Sequence, residues 1–178
     1  LEHSIKYQKS IVIDYELNTK IESIEIKPYK IVFMNENFYL ACERDHEQYE
    51  FSIYRISKIK NIIDTPKTFQ KNLSIDDFIK HMQTPFAVYS RDFKNNLIEI
   101  KLEIKKEKSF FFKSKKFLNS QNILEEKENG DLIVTYRVTQ ELEVDELVKR
   151  WLPYAKVIEP VSLKKRIENE LKQYLQML

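Results

Sequence analysis

The sequence predicts an α+β chain built in two parts, and three observations carry that prediction. Residues 1 to 64 offer short apolar segments separated by turn residues, the pattern of a small β-barrel or sandwich. Residues 96 to 178 run strand, helix, strand, strand, helix, strand, which is the ferredoxin-like order, with one further helix at the end. Between them, residues 65 to 95 read as a helical linker.

In the first part, Ile11-Val12-Ile13 leads to Tyr15 as a first strand, and the stretch from Ile21 to Phe33 alternates over Ile21, Ser23, Ile24 and Ile26. Pro28 within it suggests an edge or a bend, because proline cannot donate to a ladder. Phe38 to Cys42 follows the tight turn Asn35-Glu36-Asn37, Tyr49 to Ile56 follows the charged loop Glu43-Arg44-Asp45-His46-Glu47, and Ile59 to Ile63 closes the set. In the linker, Ser74 with Asp77 three residues on resembles a capping box opening a helix with Ile75, Phe78, Ile79 and Met82 on its apolar face. Thr84-Pro85 ends that helix, since a residue before proline is pushed out of the α region.

In the second part, Leu97 to Ile104 alternates as a half-buried strand and Lys106 to Phe117 reads as helical. Ile123 to Glu126 and Leu132 to Val138 flank Asn129-Gly130, a hairpin signal because both residues tolerate positive φ. Asp145 to Tyr154 is a helix ended near Pro153, and Lys156 to Glu159 is a short strand. After Pro160, Leu163, Ile167, Leu171, Tyr174 and Leu178 form one helical stripe.

Composition bounds the function. Apolar residues make up 42% and charged residues 33%, and 30 basic against 28 acidic side chains leave a net charge of +2, so only local clustering could argue for nucleic acid. No run of apolar residues suits a membrane span, and no leader pattern opens the chain. One cysteine, Cys42, excludes an intramolecular disulfide and suits a reducing cytoplasm. Gly130 is the one glycine, which rules out phosphate cradles that need several. The chain opens on Leu1 and a strand-like pattern begins almost at once, so it reads as a segment of something longer.

Several short segments in order carry a family resemblance. Pro28-Tyr29-Lys30-Ile31-Val32-Phe33, Phe38-Tyr39-Leu40 and Phe51 to Ile56 resemble the WYL domain of bacterial transcriptional regulators, with Phe38 in place of the eponymous tryptophan. Arg150-Trp151-Leu152, Val157-Ile158-Glu159-Pro160 and Leu163 resemble the WCX extension that often follows it. Phe38 keeps aromatic bulk without an indole donor, and Tyr54 stands where the family commonly has an acid. The resemblance implies an SH3/Sm-like WYL barrel that senses a ligand, with nucleotides or nucleic acids among suspected effectors. It also implies DNA binding through an upstream winged helix-turn-helix, and no such pattern precedes Tyr7 here. Because such regulators read two half-sites, a homodimer is expected.

Arg55 is the residue to explain. It sits among strand-forming apolar residues, where a buried charge is costly unless an anion meets it. Its guanidinium fork matches phosphate or carboxylate bidentately. Tyr39 supplies a phenolic donor or stacking face, and Tyr15, which matches the family's tyrosine near the first strand, does likewise. The plainer alternative pairs Arg55 with a nearby acid and leaves both tyrosines as ordinary strand residues. A second, weaker candidate is the stretch from Lys105 to Phe117, where Lys113, Lys115 and Lys116 interleave with aromatics in a way that suits single-stranded nucleic acid. There, Phe110, Phe111 and Phe117 are better explained as the apolar side of a helix with solvated lysines.

No catalytic residues, metal or cofactor are expected. His3, His46 and His81 fall in no metal-ligand spacing, and the loop of Glu43, Asp45, His46 and Glu47 reads as a solvated hairpin tip. Cys42 follows an apolar strand and reads as buried filler. The resulting expectation is a cytoplasmic, non-enzymatic effector-binding portion of a regulator, binding an anionic nucleotide or single-stranded nucleic acid, with no membrane partner. Its alternatives are a non-sensing interaction and dimerisation module, and a stand-alone single-strand binder.

Overall fold

The structure, a computed structural model, describes residues 1–45 and 50–177. The loop residues His46 and Glu47, the expected strand start Tyr49 and the stripe residue Leu178 lie outside the described residues. The fold is mixed α+β with two antiparallel sheets, and the chain divides into two compact units, one of residues 1–85 with 89–91 and one of residues 86–88 with 92–178.

The first unit opens with the short helix α1 (Glu2–Lys6) and continues through β1 (Lys9–Leu17), β2 (Lys20–Met34), β3 (Asn37–Glu43), β4 (Phe51–Arg55) and β5 (Ile59–Thr68), in the sheet order β4-β3-β2-β1-β5. A single 3-10 turn, Ile56–Lys58, carries the chain from one edge strand to the other. Two hairpins close on positive-φ pairs, Asn18 and Thr19 at 47° and 69°, and Asn35 and Glu36 at 45° and 60°. Both pairs match the turn whose twist suits flanking antiparallel strands. Pro28 falls where the β2–β3 register shifts, a bulge that accommodates the missing N–H.

The two faces of this sheet bury different clusters. Ile11, Ile13, Ile26, Leu40, Cys42 and Tyr54 form one, with Tyr15, Ile24, Ile56 and Ile59 packed against it. Tyr29, Ala41, Ile75 and Ile79 form the other, joined by Val32, Phe51, Ile53, Phe69 and Tyr89. The second cluster is completed by α2 (Leu73–His81), whose Ile75, Phe78 and Ile79 are buried. Its cap is Asn72, whose side chain accepts from the Ser74 N–H at 3.0 Å, rather than the expected Ser74 box.

The second unit runs β6 (Ile98–Ile104), α3 (Lys106–Ser114), β7 (Asn122–Glu126), β8 (Leu132–Val138), α4 (Leu142–Arg150), β9 (Ala155–Glu159) and α5 (Val161–Gln176), with sheet order β7-β8-β6-β9. Ile100, Leu102 and Ile104 pair across the sheet with Tyr136, Val134 and Leu132, and all six are fully buried with Phe112, Val144, Val148, Leu163 and Ile167. The β7–β8 hairpin turns on Gly130 at φ 86°. Asn129 instead uses its side chain, accepting the Asp131 N–H at 3.0 Å.

Inside this core, Gln121 replaces absent backbone partners. It accepts from the Tyr136 hydroxyl and the Phe117 N–H, both at 3.0 Å, and donates to the carbonyls of Phe112 at 2.8 Å and Lys115 at 3.2 Å. These four bonds tie the non-helical chain after α3 to the sheet. Helix α3 also ends earlier than Phe117, and Phe112 is its buried aromatic.

Candidate functional site

Strand alternation decides what can share a site. Along β4, Ser52 and Tyr54 face one way and Phe51, Ile53 and Arg55 the other, because successive side chains of a strand alternate. Tyr39 is the cross-strand neighbour of Arg55, so these two residues stand side by side on the face of Ala41 and Ile53. Directly paired side chains of this kind lie about 5 Å apart at Cβ.

The Arg55 side chain is half-buried, and its Nε is fully buried without a hydrogen-bond partner. Among the described residues it forms no ion pair. A guanidinium nitrogen withdrawn from water and unpartnered costs about 1–3 kcal/mol or more, so the position is poised for an acceptor. Tyr39 is half-buried beside it.

Tyr15 is not brought to this pair. Its ring packs edge-on against Tyr54, centroids 4.8 Å apart, in the cluster on the opposite side of β4 from Arg55. There it lines a cavity of about 360 Å³ with Leu17, Glu22, Ile24, Arg44, Ser52, Ile53 and Tyr54. Burial pushes the Tyr54 phenol above the ordinary tyrosine range, which keeps it a neutral donor, while Arg44 and Ser52 act in the other direction.

Arg44 lines this cavity and a second one of about 580 Å³ that runs over Ser10, Ser23, Ile26, Lys27 and Glu43. Lys27 is already engaged with Glu43 at 2.9 Å and Asp45 at 2.7 Å. Arg44 is half-buried and has no ion pair among the described residues. Sequence reasoning passed over it because it stands within a run of charges that reads as solvated. The signal was the continued alternation Leu40, Cys42, Arg44, which keeps it on the inward side.

The lysine-rich segment is largely committed to local contacts. Lys113 pairs with Glu126 at 2.5 Å, Lys115 lies 4.8 Å from the Phe117 ring centroid, and Lys116 reaches the Asn119 carbonyl at 3.5 Å. Phe110 is 70% exposed and therefore does not cover the sheet, while Phe111, Phe112 and Phe117 each pack within 5.5 Å of the Trp151 ring. Cys42 is fully buried, and burial pushes its thiol up, away from nucleophilic reactivity. Among the described residues no cluster of His, Cys, Asp and Glu could hold a metal ion, and no helix is long and apolar enough to cross a membrane.

Comparison with known proteins places these elements. No curated protein matches the chain. A solved structure of a CRISPR Cas-related protein is similar at 15% identity and a TM-score of 0.60, covering 99% of this chain and 49% of that one. That likeness shows a shared fold. Proteasome accessory factor B/C (PafBC) of Arthrobacter aurescens is similar at 12% identity, over 93% of this chain and 24% of that one, but its TM-score of 0.38 carries no structural argument. The chain thus spans half or less of the length of these two solved chains. Family comparison matches the WYL domain over residues 1–63 and the WCX domain over residues 96–175. With most of its length so matched, the chain belongs to the WYL-domain family, a WYL domain followed by a WCX domain.

Proposed function

We propose that this chain is the effector-sensing and dimerisation portion of a bacterial transcriptional regulator, working in the cytoplasm without catalysis. The observation that carries this reading is the Arg55 guanidinium, buried at Nε and unpartnered, with Tyr39 beside it. An oxyanion meeting that fork would satisfy a charge the fold leaves unsatisfied, and each charged hydrogen bond contributes about 1.5–3 kcal/mol. The effector is therefore anionic, a nucleotide or a short single strand, with Tyr39 as donor or stacking face. Tyr15 contributes only if the ligand reaches around the edge of the sheet.

The sheet order and the 3-10 turn between the edge strands support an SH3/Sm-like reading of the WYL domain. The order β7-β8-β6-β9 supports a ferredoxin-like reading of the WCX domain. Ligand binding favours one arrangement of the two domains by its differential affinity, and so resets paired DNA-binding heads on a winged helix-turn-helix outside this chain.

Titration of the parent and Arg55→Ala chains with short single-stranded DNA and with nucleotides tests the reading. Loss of binding in the variant is expected, and unchanged affinity for every ligand removes Arg55 from the site. A second reading, a dimerisation module without a ligand, is favoured by the exposed Leu171, Tyr174 and Leu175 on the last turns of α5. Light scattering with and without ligand separates the two, since sensing requires a ligand-linked change in assembly.

A further inference from the structure

The cavity at Arg44 is lined from β4 by Ser52, Ile53 and Tyr54 and not by Arg55, and it holds its own recognition chemistry. Four kinds of group converge there. Arg44 offers an unspent guanidinium fork, and Ser52 a hydroxyl. Tyr15 and Tyr54 present two ring surfaces at 68° to one another. Glu22, the direct cross-strand neighbour of Tyr15, offers a carboxylate with no ion pair among the described residues.

The surroundings sharpen this inventory. The inward face of the β1–β2 ladder is apolar at the Ile11–Ile26 and Ile13–Ile24 pairs and turns polar at Tyr15–Glu22, so the cavity opens where the core ends. The other nearby charges are engaged: Lys27 holds Glu43 and Asp45, and Glu25 holds Lys67 at 2.8 Å. What is left over is one cation and one anion across a ring-lined space of about 360 Å³, within the range of small-molecule sites.

We infer that this cavity is a second receptor, separate from Arg55, for a small planar ring that carries an oxyanion at one end and N–H donors at the other. The oxyanion lies against Arg44 and Ser52, the ring against Tyr15 and Tyr54, and the N–H donors face Glu22. A simple inorganic anion is disfavoured, because Glu22 repels it and the two rings give it nothing. Two sources supply the required chemistry, a nucleoside monophosphate and an aromatic carboxylate such as an indole acid.

The test is calorimetric titration of the whole chain with guanosine 5′-monophosphate and, separately, with indole-3-acetate. Saturable binding of either probe is expected, and the probe that binds identifies the source. Arg44→Ala should weaken that probe by about tenfold or more, and Glu22→Gln should weaken it less. A probe-dependent rise in the melting temperature of the parent chain gives a reading that needs no variant. The proposal is overturned if neither probe binds or raises the melting temperature, or if Arg44→Ala retains parental affinity. These outcomes bear on the Arg44 cavity alone, and the Arg55 reading keeps its own titration with single-stranded DNA.

Discussion

The Tyr29 hydroxyl, on β2, accepts the backbone N–H of Asn72, the residue that caps α2, at 2.6 Å. The same oxygen donates to Glu43 Oε2 at 2.5 Å, so one phenol joins the middle of β2 and the end of β3 to a helix start. Tyr29→Phe keeps the ring, which stacks on Phe69 at 5.7 Å, but leaves the Asn72 N–H unsatisfied. A loss of about 1–3 kcal/mol is expected, read as a lower urea midpoint at unchanged slope. No change in midpoint would mean that water replaces the phenol at no cost.

Alkaline pH should undo the fold from inside. Burial holds the Tyr29, Tyr54 and Tyr136 phenols above the ordinary value of 10.0, with Glu43 adding to the effect at Tyr29. Up to about pH 10 the folded and unfolded chains keep these protons alike, so their contribution is intact. Above that, the unfolded chain releases them while the folded chain retains them, and stability falls as pH rises until the buried phenols ionise in turn. Melting temperature followed from pH 8 to 12 should decline beyond about pH 10, and Tyr136→Phe should flatten the decline.

Gln121 is 3% exposed and makes four hydrogen bonds, so its loss should be felt beyond its size. Gln121→Leu strands the Tyr136 hydroxyl and the Phe112 carbonyl in the core. A cost of about 2–4 kcal/mol is expected from two unmet buried groups, with faster amide exchange over residues 115–121. Wild-type exchange rates there would contradict the role of Gln121 as the partner of that loop.

Gly130 turns the β7–β8 hairpin at φ 86°, and a Cβ there would meet Lys106 Cβ at 3.2 Å. Gly130→Ala should destabilise the second unit by about 1–2 kcal/mol. The parallel change Glu128→Ala, in the same loop without positive φ, should be near neutral, and equal effects would refute the backbone argument.

Much of the secondary structure was legible because periodicity reports burial directly. The alternation ending in Ile104 became β6, Asn129-Gly130 became a turn, and Leu163 and Ile167 became the buried side of α5. Helix α1 was missed because five residues carry too little periodicity, and the Asn18-Thr19 turn because only its asparagine signals positive φ. In α3, three consecutive phenylalanines cannot announce which one the helix turns inward, and it is Phe112. The pairing of Arg55 with Tyr39 followed from pattern and resemblance together, whereas the separation of Tyr15 from them depends on which strands neighbour which. That is a property of sheet order, to which alternation within a single strand is blind. Arg44 was hidden for a related reason, since a charge at a strand end looks solvated until the opposite wall is known.

Trp151 is the one indole in the chain, and it sits among Phe111, Phe112 and Phe117 in the second unit. Its emission is therefore a built-in optical label for the WCX half, while tyrosine signals arise from both halves. Denaturation followed at the two colours can show whether the halves melt as one cooperative body or in sequence, with no dye attached to either.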